Sequence, residues 1–222
     1  MKPYFIKTSN LLKFIFTKWV WSFCTKQKNI YLTFDDGPTP EITEWTLNQL
    51  QKYNAKATFF CIGKNIEKHP KIFQKIIAEK HTIGNHTHNH LNGWKTNLQD
   101  YLTNFLRADQ TILHNINLHS GSDKMVTQTA KLFRPPYGKI SLKQSKKIRK
   151  KGYKVIMWDV LSADFDTTIS KKECLKNVIQ NVKSGSIVVF HDSEKANEKL
   201  KFVLPKTLEY YSEKGYRFKG IN

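Results

Sequence analysis

The sequence predicts an α/β fold in which about seven parallel strands, joined by helices, curl into a closed or nearly closed barrel. From Ile30 onward, short apolar runs rich in β-branched and aromatic residues alternate with longer segments of helical period, the pattern of repeated β-α units. Seven such runs are too many for a small open sheet. The unusual polar residues also fall at the carboxyl ends of these runs, and in a parallel barrel those ends share one face.

The strands are expected at residues 29–34, 57–62, 82–85, 132–134, 154–158, 186–190 and 216–221. Each is a short run with few charges, bounded by turn-forming or charged residues. The first helix is expected over residues 40–53, with Thr39 as cap and Pro40 in its first turn, where a missing N–H costs nothing. Proline also opens the second, at 70–80. Further helices follow at 98–115, 142–151, 171–183 and 204–214 from their apolar spacing. Residues 114–129, where Asn, Ser, Gly and Asp cluster, read as a loop.

The 222 residues are 39% hydrophobic and 25% charged, which excludes a disordered tail, a collagen-like repeat or a miniprotein. A chain this long needs no disulfide or metal merely to fold. Cys24, Cys61 and Cys174 are odd in number and lack CxxC spacing, so they read as buried small hydrophobes. The formal net charge of +19 favours anionic partners. Residues 1–28 form an N-terminal extension, expected to pack on the main domain at 29–222. Lys2 and Lys7 precede the apolar Leu11, Leu12, Phe14, Ile15 and Phe16 as in a signal peptide, but Lys13 and Lys18 break the run. No small-residue cleavage site follows, and the run falls short of the roughly 20 residues of a membrane span. The reading is therefore a chain with no membrane span and no clear export signal, cytoplasmic by default.

Five motifs gather the chemistry. In Thr33-Phe34-Asp35-Asp36-Gly37-Pro38 the adjacent carboxylates diverge if the strand stays extended, so one can hold a metal while the other faces substrate; the same hexapeptide also reads as turn punctuation. In His86-Thr87-His88-Asn89-His90 histidines four apart on a helical turn can converge on one ion, while His88 points elsewhere; the same run also reads as a solvated loop. Two imidazoles and a carboxylate suit zinc, cobalt or iron. Phe133-Arg134-Pro135-Pro136-Tyr137-Gly138 is a stiff loop that can hold an arginine and an amide in fixed places, or a plain tight turn. Two strands then run directly into charge, at Trp158-Asp159-Val160-Leu161-Ser162-Ala163-Asp164-Phe165 and at Val189-Phe190-His191-Asp192. A histidine beside a carboxylate there is either a satisfied rim residue or a protonated acid.

Taken in order, TFDDGP, HTHNH, FRPPYG, WDVLSADF and VVFHD resemble the polysaccharide deacetylases of the NodB-homology group, carbohydrate esterase family four, from about Ile30 to the end. The resemblance implies a distorted β/α barrel, with residues 29–222 as catalytic domain, and a metal-dependent hydrolase that removes N-acetyl, or sometimes O-acetyl, groups from sugar polymers. It makes Asp36, His86 and His90 the ligands of one divalent metal, zinc foremost with cobalt or another ion as alternatives. It makes Asp35 the general base tethered by Arg134, the Tyr137 amide an oxyanion donor, and His191 the general acid tuned by Asp164. Pro135, Phe165 and Val189 fall to substrate binding, the last two as an apolar floor for the acetyl methyl; the family often has tryptophan and leucine at these two positions.

The expected partner is therefore an acetylated carbohydrate polymer or oligomer, chitin-like or peptidoglycan-like, met by a monomer, and this substrate class points to the cell envelope. An O-acetyl esterase is the alternative on the same site. An iron oxygenase has no need of His191 or of a rigid oxyanion loop. A basic polyanion-binding module fits the charge, but the sequence shows no recognition helix, zinc finger or RNA-binding motif, so no specific nucleic acid is expected.

Overall fold

The computed structural model describes residues 4–120 and 131–222. Among these, β1 (Asn29–Asp35), β2 (Thr58–Cys61), β3 (Thr82–Asn85), β4 (Leu132–Phe133), β5 (Lys154–Val155), β6 (Val160–Leu161) and β7 (Ile187–His191) form one parallel sheet in the order β5-β4-β3-β2-β1-β7-β6. A short β8 (Arg217–Phe218) pairs with the start of β1. The sheet curls into a half-barrel, the distorted barrel that the sequence implies. Its central strands are buried almost throughout, as parallel strands covered on both faces must be.

Strand β6 was not anticipated, since two residues carry no period. Its presence moves Asp159. The sequence places Asp159 after the fifth strand and so on the face at the carboxyl ends of the strands, but the chain leaves the sheet beyond Ile156 and Asp159 precedes β6, beside Ser186 at the foot of β7. Asp164, after β6, stays on the face at the carboxyl ends of the strands.

The helices are α1 (Asn10–Ile15), α2 (Ile42–Lys52), α3 (Gly63–Lys68), α4 (Pro70–Ala78), α5 (Leu98–Ser120), α6 (Leu142–Lys150), α7 (Lys171–Ile179) and α8 (Asn197–Glu213). Helix α3 was not expected. Helix α2 starts two residues late because Glu41 has φ 62°; Thr39 does not cap it with its side chain. Instead Thr43 Oγ1 accepts from the Thr39 amide at 2.8 Å and donates to Asp192 at 2.5 Å. Helix α5 runs on to Ser120, into the polar stretch read as a loop, because Ile112 and Ile116 extend its buried stripe; residues 121–129 of that stretch lie outside the described residues. Helix α8 begins seven residues early, burying Leu200 and Val203 ahead of Leu204, and tolerates Pro205 inside it. Cys24 is exposed, so only Cys61 and Cys174 are buried hydrophobes.

The N-terminal segment lies along the open edges of the sheet. Residues Ile6 to Thr8 hydrogen-bond to the edge of β6, antiparallel to it, and Val20 bonds to Val155 and Met157 at the end of β5. Trp21 joins a buried cluster with Tyr101, Phe105 and Phe133. Lys7 and Lys13 both reach Asp159, at 2.6 and 2.5 Å, and Ser186 Oγ donates to the same carboxylate at 2.6 Å. Burial opposes the charge on Asp159, but these three donors outweigh it and lower its pKa. A depressed carboxylate contributes stability above its unfolded pKa, lost as pH falls through the folded one. Asp159→Asn is expected to cost about 2–3 kcal/mol, since it weakens hydrogen bonds to two ammonium groups, and to expose residues 4–23 to limited proteolysis. Denaturant unfolding and a timed digest check both.

Candidate active site

Strand β1 delivers its two carboxylates in different directions. Asp35 is the last residue of the strand, with Phe60 of β2 and His191 of β7 as its neighbours in register. Asp36 does not continue the strand. Its φ of 82° turns the chain, so the divergence comes from a left-handed residue rather than from extended alternation. Gly37 follows because nothing larger fits: a Cβ there would stand 2.0 Å from Asp192 Oδ2. Buried Asp192 accepts from the Gly37 amide and Thr43 and so fixes the turn. Burial pushes its carboxyl up to about 8.

Asp35 belongs to Arg134. This arginine is completely buried at the end of β4, and its Nη1 donates to Asp35 Oδ1 at 2.7 Å and to Thr33 Oγ1 at 2.6 Å. Nη2 and Nε bond to the carbonyls of Met157 and Ile156, and the guanidinium lies 4.2 Å from the Phe60 ring centroid. Burial lowers the Arg134 pKa while Asp35 raises it. A buried guanidinium needs such partners, and the arrangement leaves the Asp35 side chain little freedom.

Asp36 faces two histidines. Its Oδ1 lies 3.6 Å from His86 Nε2 and 3.2 Å from His90 Nε2, and the ligand atoms of all three residues fall within 4.8 Å of one another. The histidines do not converge through a helical turn, as their spacing suggested. His86 leaves β3, and positive φ at Thr87 and His90 folds the loop back, while Thr87 Oγ1 accepts from the Leu91 amide at 3.1 Å. His88 points away and is buried near Glu67.

The trio fits a metal ion on its own chemistry. The His86 Nδ1 donates to the Arg134 carbonyl at 2.8 Å, so Nε2 presents its lone pair inward. Burial lowers the His86 pKa to about 4, which keeps the ring neutral at pH 7. His90 Nδ1 is tied to the Tyr137 hydroxyl at 3.0 Å. Asp36 Oδ1 is buried without a hydrogen-bond partner among the described residues, an uncompensated acceptor that a cation would satisfy. Burial works against its charge, yet His90, His191 and His86 together hold the carboxyl well below the usual range.

His191, at the end of β7, is fixed by Asp164. Asp164 Oδ1 meets His191 Nδ1 at 2.7 Å and Oδ2 accepts from the His191 amide at 2.8 Å. Burial alone would depress this imidazole, but the charge and hydrogen bond of Asp164 outweigh it and raise the pKa to about 9. Nε2 remains available to a ligand.

These groups open onto one cavity of about 420 Å³, lined also by Pro135, Tyr137, Phe165 and Val189. Tyr137 has φ 60°, which orients the peptide after the two prolines. The lining also includes Tyr4, Lys139, Trp158, Leu161 and Lys195, none of which sequence reasoning selected. Tyr4 comes from the N-terminal segment, with its ring edge-on to Phe165 at 5.3 Å and its hydroxyl bonded to Asp166. No motif or period marks a tyrosine outside the barrel, so only the folded chain exposes it.

A family model described as polysaccharide deacetylase matches residues 23–156. A peptidoglycan-N-acetylglucosamine deacetylase of Bacillus cereus is 34% identical over 91% of this chain and 90% of its own. A chitooligosaccharide deacetylase of Azorhizobium caulinodans is 32% identical over 75% and 74%. The crystal structure of the Bc1960 peptidoglycan N-acetylglucosamine deacetylase superposes with a TM-score of 0.82 at 29% identity, covering 96% of this chain and 95% of that one. A pseudoenzyme of carbohydrate esterase family four from Bacillus anthracis, 22% identical, shares the fold with a TM-score of 0.77, so the fold alone does not decide activity. The matched sequence and the relatives aligned along nearly its whole length do decide the lineage: this chain belongs to the polysaccharide deacetylase family.

Proposed function

We propose that this protein hydrolyses the N-acetyl group of an amino-sugar polymer, with peptidoglycan-type N-acetylglucosamine as the preferred unit, in a metal-dependent reaction. The observation that carries the reading is the convergence of three sets of groups on one cavity: Asp36 with His86 and His90, Asp35 with its buried arginine, and His191 with Asp164. The names of the relatives support the substrate class.

An acetamide is a poor electrophile and water a poor nucleophile, so both must be activated. A divalent ion held by Asp36, His86 and His90 would supply Lewis-acid polarisation and a lowered pKa for water. Asp35, aimed by Arg134, takes the proton of the attacking water. The Tyr137 amide meets the oxygen that becomes negative, a type of contact worth about 3–4 kcal/mol. Amide nitrogen leaves only when protonated, and His191 gives it a proton from Nε2 while Nδ1 stays on Asp164. Phe165 and Val189 wall the space where an acetyl methyl would sit. Products are acetate and a free amine, and the positive protein field favours release of an ammonium product.

The test is acetate release from chitin oligomers, peptidoglycan and acetylated xylan, before and after a chelator and again with zinc or cobalt restored. The expected result is release from the N-acetylated substrates, abolished by chelation and recovered with metal. Release from xylan alone, or indifference to chelation, would overturn the reading.

A further inference from the structure

The positive charge is not evenly spread. Residues 1–34 and 131–158 together hold sixteen lysines and arginines and no aspartate or glutamate. In the fold these two stretches meet. Ile15, Phe16, Lys18 and Trp19, from the end of α1 and the turn after it, line one groove with Leu142, Lys146, Arg149 and Lys150 of α6. Among the described residues none of these four cations forms an ion pair, in contrast to Lys7 and Lys13, which Asp159 neutralises.

The rim of this groove is apolar. Leu11, Phe14 and Ile15 stand at i, i+3 and i+4 on α1 and so share one side of it, and they are 68%, 78% and 58% exposed. Leu142, at the start of α6, is 68% exposed. Trp19 stacks on Phe16 with centroids 4.6 Å apart. A folded domain rarely presents large aliphatic and aromatic side chains in one cluster unless something covers them.

We propose that this face is a docking surface for an anionic lipid bilayer, with α1 lying in the interface. Charge complementarity selects a polyanionic partner, and the apolar crest selects among polyanions. A nucleic acid or a hydrated wall polymer offers nothing to Leu11, Phe14 and Ile15, whereas a bilayer takes such side chains about 5–10 Å into the boundary between headgroups and acyl chains. Each cation near an anionic leaflet adds to the attraction within a Debye length. Tryptophan is at home at that depth. No helix among the described residues is long and apolar enough to cross a membrane, so the association is peripheral, and it would hold a wall-modifying enzyme beside the membrane.

The test is flotation of the full chain with phosphatidylglycerol vesicles and with phosphatidylcholine vesicles. Binding is expected to the anionic vesicles only. Lys146→Gln with Lys150→Gln should weaken it by about fivefold per cation. Leu11→Ser with Phe14→Ser and Ile15→Ser should weaken it by at least about tenfold. All five positions are exposed and outside the cavity, so thermal melting and acetate release from soluble chitin oligomers should match the parent protein. That readout separates failure of the membrane proposal from failure of the catalytic one. Absence of binding to anionic vesicles, or a triple serine variant that binds like the parent, would overturn the proposal; the second result would leave charge alone, and with it a soluble anionic polymer, as the partner.

Discussion

Asp35→Asn is expected to lower acetate release by about 10²–10⁴-fold, the range for loss of a positioned general base, without loss of metal. Asparagine keeps the shape and can still accept from Arg134, so the hydrogen bond drawn at 2.7 Å survives in outline, but an amide cannot take the proton of water. The substitution also removes the one carboxylate paired with a fully buried guanidinium. Breaking a buried pair in this way costs about 3–5 kcal/mol, so a melting curve must accompany the rate. Asp36→Asn separates the two carboxylates. It should weaken zinc binding, measured by competition with a chelating dye, and its activity should recover in part at high zinc. Asp35→Asn should bind zinc normally and recover nothing. Retention of more than a tenth of the activity in Asp35→Asn would remove Asp35 from the base role.

Much of this site is written in local sequence, and the reason is geometric. In a parallel β/α sheet the carboxyl end of every strand faces the same way, so correctly placing β1, β3, β4 and β7 suffices to bring Asp35, His86, Arg134 and His191 to one mouth. What the sequence left out depends on contacts between segments far apart along the chain. Strand β6 has two residues and no period, and without it Asp159 cannot be told from a residue of the catalytic face. Helix α5 continues past His114 because Ile112 and Ile116 find the core, a tertiary preference that overrides a polar composition. The convergence of Asp36, His86 and His90 was anticipated for a partly mistaken reason: the histidines meet through left-handed residues at Thr87 and His90, which a helical-spacing argument does not foresee. Tyr4 reaches the cavity only because the N-terminal segment pairs with β6.

The acid half of the reaction makes the second large prediction. His191 is held at about 9 against an ordinary histidine value of about 6.5, because the Asp164 charge and hydrogen bond outweigh burial. In the proposed reaction the protonated ring is the active form, so kcat/KM should fall on the alkaline side as pH passes through about 9. Asp164→Asn withdraws the charge that favours the proton, which then leaves at lower pH, and the alkaline limb must move down. The same variant should lose the stability that a raised histidine pKa confers, a contribution complete below the unfolded value near 6.5 and lost as pH rises through the folded one. His191→Ala should cost about 10²–10⁴-fold on an N-acetyl substrate and erase the alkaline limb. An O-acetyl ester should suffer much less, because an alkoxide departs with less help than an amide nitrogen. If both substrates lost equally, or the limb of Asp164→Asn stayed in place, the proton would have to come from somewhere other than His191, and the described lining of this cavity also includes Lys139, Lys195 and the hydroxyls of Tyr4 and Tyr137.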